Sequence, residues 1–216
     1  MPSLIDPRQV ALLVIDMQRD FCSEGGYAQT AGLDFSPLRA IVPAVKTVLT
    51  AARETGITII FTREGHLPDL SDCSEAKLQR SKNGGAEIGS AGPLGRLLVR
   101  GEYGQGIISE LTPLANEFAF DKPGYSAFPQ TELQEILSRR NISQLIFTGV
   151  TTEVCVHSTL RDAVDRGYRC ITVSDACASP DPQLHDAALR MIDVEGGIFG
   201  QVCDAATIVT ALRTLT

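Results

Sequence analysis

The sequence predicts an α/β domain built on a mostly parallel sheet, and two observations carry that expectation. Short apolar runs rich in Val, Ile and Phe lack polar alternation, as strands covered on both faces do. Helical patterns lie between most of these runs, and strands alternating with helices build parallel sheets. No internal repeat or linker divides the 216 residues, so 1–216 reads as one domain.

The strand runs fall at Val10–Ile15, 57–62, 118–120, 145–150 (within a strand taken as Gln144–Val150), 171–174 and 197–202. Pro43 fits the first turn of a helix, since an interior proline would cost about 3 kcal/mol. Val45, Val48, Leu49 and Ala52 then form an apolar stripe that Gly56 ends. Thr131 with Gln134 has the spacing of a capping box, leading into Leu133, Ile136 and Leu137. Residues 152–166 read as one helix stopped by Gly167. Asp181 before Pro182 opens a further helix carrying Leu184, Ala188 and Met191, and Asp204 caps the last one.

One segment breaks the alternation. Residues 65–106 read as a long loop insertion with Gly84, Gly85, Gly89, Gly92, Gly95, Gly101, Gly104 and Gly106. A loop of this length is either a surface excursion or a wall or lid over a pocket, and both readings stand.

Composition limits the partners. With 44% hydrophobic residues the chain can bury a sizeable core, and a net charge of -7 argues against nucleic acid as a partner. Val10–Ile15 is too short to span a membrane and Asp16 ends it, and no secretion signal is read. Six cysteines without a CxxC pair then predict reduced thiols in a cytoplasmic protein with no membrane partner.

Ligands of open α/β sheets bind beyond the carboxyl ends of the strands, where three reactive side chains fall. Asp16 follows the first strand, Lys122 follows 118–120 after Asp121, and Cys155 lies in the first turn after Val150. A helix N-terminus favours thiolate and offers N–H groups to an oxyanion. By position alone Cys155 is either a nucleophile or a buried structural thiol, Asp16 either a general base or a cap, and Lys122 either a charge partner or a surface lysine. Together at one sheet edge they say more than each alone. Of the three histidines, His157 lies two residues from Cys155, His185 sits in a late helix, and only His66 is left for a Cys–His dyad that no spacing supports. His66 with Asp69 and Asp72 lacks the further imidazoles of a transition-metal site. Cys155 and Arg161 have cysteine-phosphatase spacing, but the residues between them keep helical periodicity. Arg161 is therefore expected on a helix surface, paired with Asp162, Asp165 or a neighbour. No glycine-rich dinucleotide motif follows the first strand.

These residues sit in blocks that resemble the isochorismatase-like cysteine hydrolases. The blocks are Asp16-Met17-Gln18-Arg19-Asp20-Phe21 with Gly25-Gly26, Asp121-Lys122-Pro123-Gly124-Tyr125-Ser126-Ala127-Phe128, and Gly149-Val150-Thr151-Thr152-Glu153-Val154-Cys155-Val156. The resemblance implies a three-layer Rossmann-like fold, with a six-stranded parallel sheet flanked by helices, in a homodimer or homotetramer. It implies an Asp–Lys–Cys triad of Asp16, Lys122 and Cys155, a cis bond Val150–Thr151, and an oxyanion hole of the Thr151 and Cys155 N–H groups. It implies no cofactor, since the nicotinamidase metal cluster is not recognisable here.

Thr62-Arg63-Glu64-Gly65-His66 and Pro68-Asp69-Leu70-Ser71-Asp72-Cys73 look most like biuret and triuret hydrolases, which release ammonia from a terminal carbamoyl group. Phe21, Tyr27, Glu64, Phe128 and Glu195 are the candidate substrate-binding residues, and a carboxylate at Glu195 tilts the expectation towards triuret. N-carbamoylsarcosine or ureidoacrylate amidase is the alternative within enzymes. A small-molecule binding protein on the same fold is the alternative outside them.

Overall fold

A computed structural model describes residues 6–214, so residues 1–5 and 215–216 of the expected domain lie outside the described residues. Six strands form one sheet: β1 Val10–Ile15, β2 Thr58–Glu64, β3 Phe118–Lys122, β4 Gln144–Val150, β5 Arg169–Ala178 and β6 Gln201–Cys203. Their order is β3-β2-β1-β4-β5-β6, and every neighbouring pair is parallel. The α/β expectation is met. After β3 the chain returns to the other side of β1 to lay down β4. The order reverses between β1 and β4, and a crevice opens at their carboxyl ends.

The principal helices are α1 Val42–Thr55, α2 Glu75–Asn83, α3 Leu133–Arg139, α4 His157–Asp165, α5 Pro182–Ile192 and α6 Ala205–Arg213. Successive side chains of a strand point to opposite faces, and β1 divides accordingly. Val10, Leu12 and Val14 join the core under α1 and α6, with Val45, Val48, Leu49, Ala52, Ile208 and Leu212. Ala11, Leu13 and Ile15 join the core under α3 and α4, with Leu133, Leu137, Leu160 and Ala163. The uninterrupted apolar reading of β1 follows from this double cover.

Several caps form as the sequence predicts. Gly56 closes α1 in a left-handed conformation (φ 69°). Asp181 accepts the N–H of Gln183 at 2.8 Å, and Asp204 that of Thr207 at 2.7 Å. Other elements differ. Thr131 accepts the N–H of Leu133, but the Gln134 side chain turns to Ser138 and Tyr168, so the capping box does not close. On α5 the inward residues are Ala188 and Ile192, while Leu184 and Met191 are half exposed. The expected strand 197–202 is shorter and starts later, at 201–203, because Gly197 and Gly200 have positive φ, incompatible with extended backbone. Arg161 lies over the Phe199 ring at 3.7 Å and donates to His157, while Asp162 pairs with Arg166.

The 65–106 segment is packed structure and not a bare loop. It holds α2, a small hairpin of Ala91–Gly92 and Gly95–Arg96, and the buried run Leu97, Leu98 and Val99. The Asp20 carboxylate accepts the N–H of Leu98 at 3.1 Å, and Gln18 donates to the carbonyls of Glu64 and Gln105. Gly104 is required at its position, since a Cβ there would lie 2.5 Å from the Asp20 carboxylate. The segment is thereby fixed against the residues that follow β1 and β2.

Candidate active site

Four strand ends deliver four reactive groups to the crevice. Asp16 leaves β1, Glu64 ends β2, Lys122 ends β3, and Cys155 lies five residues past β4. All four are buried. The carboxylate oxygens of Asp16 and Glu64 and the Cys155 sulfur converge within 4.8 Å of one another. Asp16 turns into the site through a left-handed backbone (φ 50°), a conformation that costs about 1 kcal/mol or more and that its surroundings must enforce. Thr62 does so: its carbonyl accepts the Asp16 N–H at 3.2 Å, and its hydroxyl donates to Asp16 Oδ1 at 2.7 Å.

Lys122 Nζ lies 2.8 Å from Asp16 Oδ2 and 3.9 Å from Glu64 Oε2, and it donates to the Gly124 carbonyl at 3.0 Å. Asp16 Oδ2 is ion-paired with Lys122, and a carboxylate oxygen so paired keeps a further lone pair for an incoming proton. The Cys155 thiol donates to Glu64 Oε2 at 3.4 Å. Glu64 Oε1 in turn pairs at 2.6 Å with Lys77, which reaches in from α2 and also donates to the Pro123 carbonyl at 2.5 Å.

Burial and charge oppose each other here. Burial pushes Asp16 up from its ordinary value against the pull of Lys122, leaving a carboxylate more basic than usual. Burial would also raise Glu64, but Lys77 and Lys122 outweigh it and hold Glu64 low. Burial would lower Lys122, yet the Asp16, Cys155 and Glu64 charges keep it protonated. Burial pushes the Cys155 thiol well above its ordinary value despite Lys122. The helix start therefore does not by itself make a resting thiolate, and the proton must be taken by a neighbouring base.

The turn carrying Cys155 is not the regular helix expected over 152–166. The Val150–Thr151 bond is cis, Thr152–Val156 forms a π-helical turn, and α4 follows. Such turns are rare and recur at functional sites. The Thr151 carbonyl accepts the N–H groups of Val154 and Val156. Gly149 permits the close approach of β4 to β1, since a Cβ there would stand 2.0 Å from the Ile15 carbonyl oxygen.

Cys155 opens onto a cavity of about 300 Å³ whose walls include Phe21, Tyr27, Glu64, Tyr125, Thr151 and Leu184. Of the candidate substrate residues, Phe21, Tyr27 and Glu64 are thus on the wall, and two are not. Phe128 is buried in the core under α3 and α4, with its ring stacked on Tyr168. Glu195 is exposed on the turn Val194–Gly197 and does not line the cavity. No histidine lines the cavity among the described residues. His66 is engaged with Asp72 at 3.2 Å, and His185 with the Thr152 hydroxyl at 2.8 Å. Asp72 is committed further to Arg100, and Asp69 to Ser71.

Sequence reasoning missed Lys77. Glu75–Asn83 is polar on nearly all sides, with Leu78 its one large apolar residue, so no helical stripe announces it. The available signal was Ser74, which caps the helix by accepting the Lys77 N–H at 3.2 Å, with Gly84 and Gly85 closing it.

The family model for the isochorismatase domain matches residues 10–207. The ureidoacrylate amidohydrolase RutB of Cronobacter sakazakii is 36% identical over 217 residues, covering 95% of this chain and 89% of that protein. That of Yersinia enterocolitica is 37% identical over 201 residues, covering 91% and 86%. Among solved structures, a cysteine hydrolase from Pseudomonas syringae pv. phaseolicola is similar with a TM-score of 0.84 and 26% identity, covering 100% of this chain and 97% of that one.

Proposed function

Because the chain belongs to the isochorismatase family, we propose that it is a cysteine amidohydrolase that cuts the terminal carbamoyl C–N bond of a small linear ureide. The observation that carries this reading is the convergence of a basic carboxylate and a buried lysine behind a thiol that opens onto a small cavity.

In the proposed reaction Asp16 takes the Cys155 proton and the thiolate attacks the terminal carbonyl carbon, forming an S–C bond. The N–H groups of Thr151 and Cys155 receive the oxyanion. Asp16 returns the proton to the leaving nitrogen, the C–N bond breaks, and ammonia departs. A water deprotonated by Asp16 then hydrolyses the thioester to a carboxylated product and restores the thiol. Lys122 holds Asp16 in place throughout. Glu64, kept charged by Lys77, accepts the thiol in the resting site and fixes its direction.

The substrate class proposed first is a short uncharged ureide of the biuret or triuret kind. Glu64, Glu153 and Asp181 line the cavity and no Lys or Arg does among the described residues, which suits a ligand made of N–H donors and carbonyls. With Glu195 outside the cavity, the tilt towards triuret loses its basis, and biuret is the simplest probe. Ureidoacrylate is the second reading, favoured by the name that the curated relatives carry. Assembly into a homo-oligomer is part of the proposal, supported by the exposed apolar side chains Met191, Val194 and Ile198 at the end of α5 and beyond.

An ammonia-release screen with biuret, triuret, ureidoacrylate, N-carbamoylsarcosine and nicotinamide tests the reading. Release from a ureide is the expected result. Silence on all five, with Cys155 inert to iodoacetamide, would make the chain a binding protein on the same fold.

A further inference from the structure

Glu153 stands two residues before Cys155, in the π-helical turn, and contributes to the cavity wall. Its Oε2 is buried and has no hydrogen-bond partner among the described residues. The residue as a whole is half-buried on the cavity wall, and a carboxylate there with an unpaired oxygen has acceptor capacity to spare for a ligand's N–H donors. The imidazole and ammonium groups around the site are committed elsewhere. The His185 ring is engaged with the Thr152 hydroxyl, and Lys77 and Lys122 sit on Glu64 and Asp16. Asp181 adds a third carboxylate to the cavity lining beside Glu153 and Glu64, though one oxygen of it already caps α5.

We propose that Glu153 sets the substrate specificity of this site: its carboxylate accepts the N–H donors at the distal end of an uncharged ureide and turns away substrates that end in a carboxylate. The proposal rests on the ureide-hydrolysing reading given above and names the feature that chooses among ureides. A urea unit presents two N–H bonds side by side, and a carboxylate has two oxygens spaced to receive them. The same carboxylate repels a substrate carboxylate in a cavity whose lining offers no cation to offset it. Glu153 acts on binding and not on the bond-breaking steps, because Asp16 and Lys122 already serve the sulfur.

The test compares biuret with N-carbamoylglycine, its carboxylated counterpart, in ammonia-release kinetics of the wild-type protein, Glu153→Gln and Glu153→Lys. Alkylation of Cys155 by iodoacetamide, read on its peptide by mass, checks that the site is assembled in each. Wild type is expected to favour biuret in kcat/KM. Glu153→Gln should raise KM for biuret by about tenfold with kcat little changed, as removal of a charged hydrogen-bond acceptor does. Glu153→Lys should invert the preference towards N-carbamoylglycine. If Glu153→Lys fails to fold, the Glu153→Gln ratio decides. A wild type that prefers N-carbamoylglycine, or a preference unchanged in Glu153→Gln, overturns the inference alone. A wild type that releases ammonia from neither compound overturns the functional reading and this inference with it.

Discussion

The ammonium of Lys77 lies 2.6 Å from Glu64 Oε1, and through that contact a helix of the 65–106 segment reaches the carboxyl end of the sheet. Both side chains are almost wholly buried. Removing one partner of such a pair leaves a charge stranded, at a cost of about 3–5 kcal/mol. Lys77→Met is therefore expected to lower unfolding stability by that order in urea titrations, and Lys77→Met with Glu64→Gln to recover most of it. Glu64 is a carboxylate held low in the folded state, so its stabilisation is full above its unfolded pKa of about 4.3. It is lost as pH falls through the folded value. If the single variant is as stable as wild type, Lys77 is not the compensating charge.

The proposed mechanism puts Asp16 in control of the acid side of the pH profile. As the proposed general base it must be ionised, so activity is expected to fall as pH drops through its pKa. Burial raises that pKa, and the acid limb of kcat/KM should lie above the value of about 3.9 for an ordinary aspartate. Lys122 pulls the pKa down, so Lys122→Met should move the limb further towards neutral while reducing the rate. An acid limb at or below the ordinary value would remove Asp16 from the base role.

Gly149 is the point where β4 passes β1, and its φ of 110° is closed to other residues. Gly149→Ala would drive a methyl into the Ile15 carbonyl. The expected cost is about 4 kcal/mol or more, a fall in Tm on the order of 10 °C. A melting curve unchanged from wild type would show that the two strands can separate freely there.

Much of the fold is legible in the residue order, because double cover of the sheet and local capping chemistry both leave their mark there. β1 can be read at its full length, Val10–Ile15, since double cover requires six apolar residues in a row. Gly56, Asp181 and Asp204 mark helix ends because their local chemistry needs no tertiary help. What escapes reading depends on partners distant in sequence. α2 is polar and is held through Lys77 to Glu64, a contact that periodicity cannot announce. Phe128 lies near the site in sequence but turns into the core, and Glu195 sits on a left-handed turn that carries it to the surface. The strand-end positions of Asp16, Lys122 and Cys155 are legible, whereas Glu64 as the acceptor of the thiol emerges only when β2 is laid beside β1.

If Cys155 forms a bond to the substrate as proposed, a rapid acid quench during biuret turnover should trap it. Peptide masses of the quenched protein should carry the substrate less ammonia on Cys155, and Cys155→Ser should lose roughly a thousandfold or more in ammonia release. Turnover with Cys155 free of adduct, matched by a Cys155→Ser protein that works at the wild-type rate, would contradict the account.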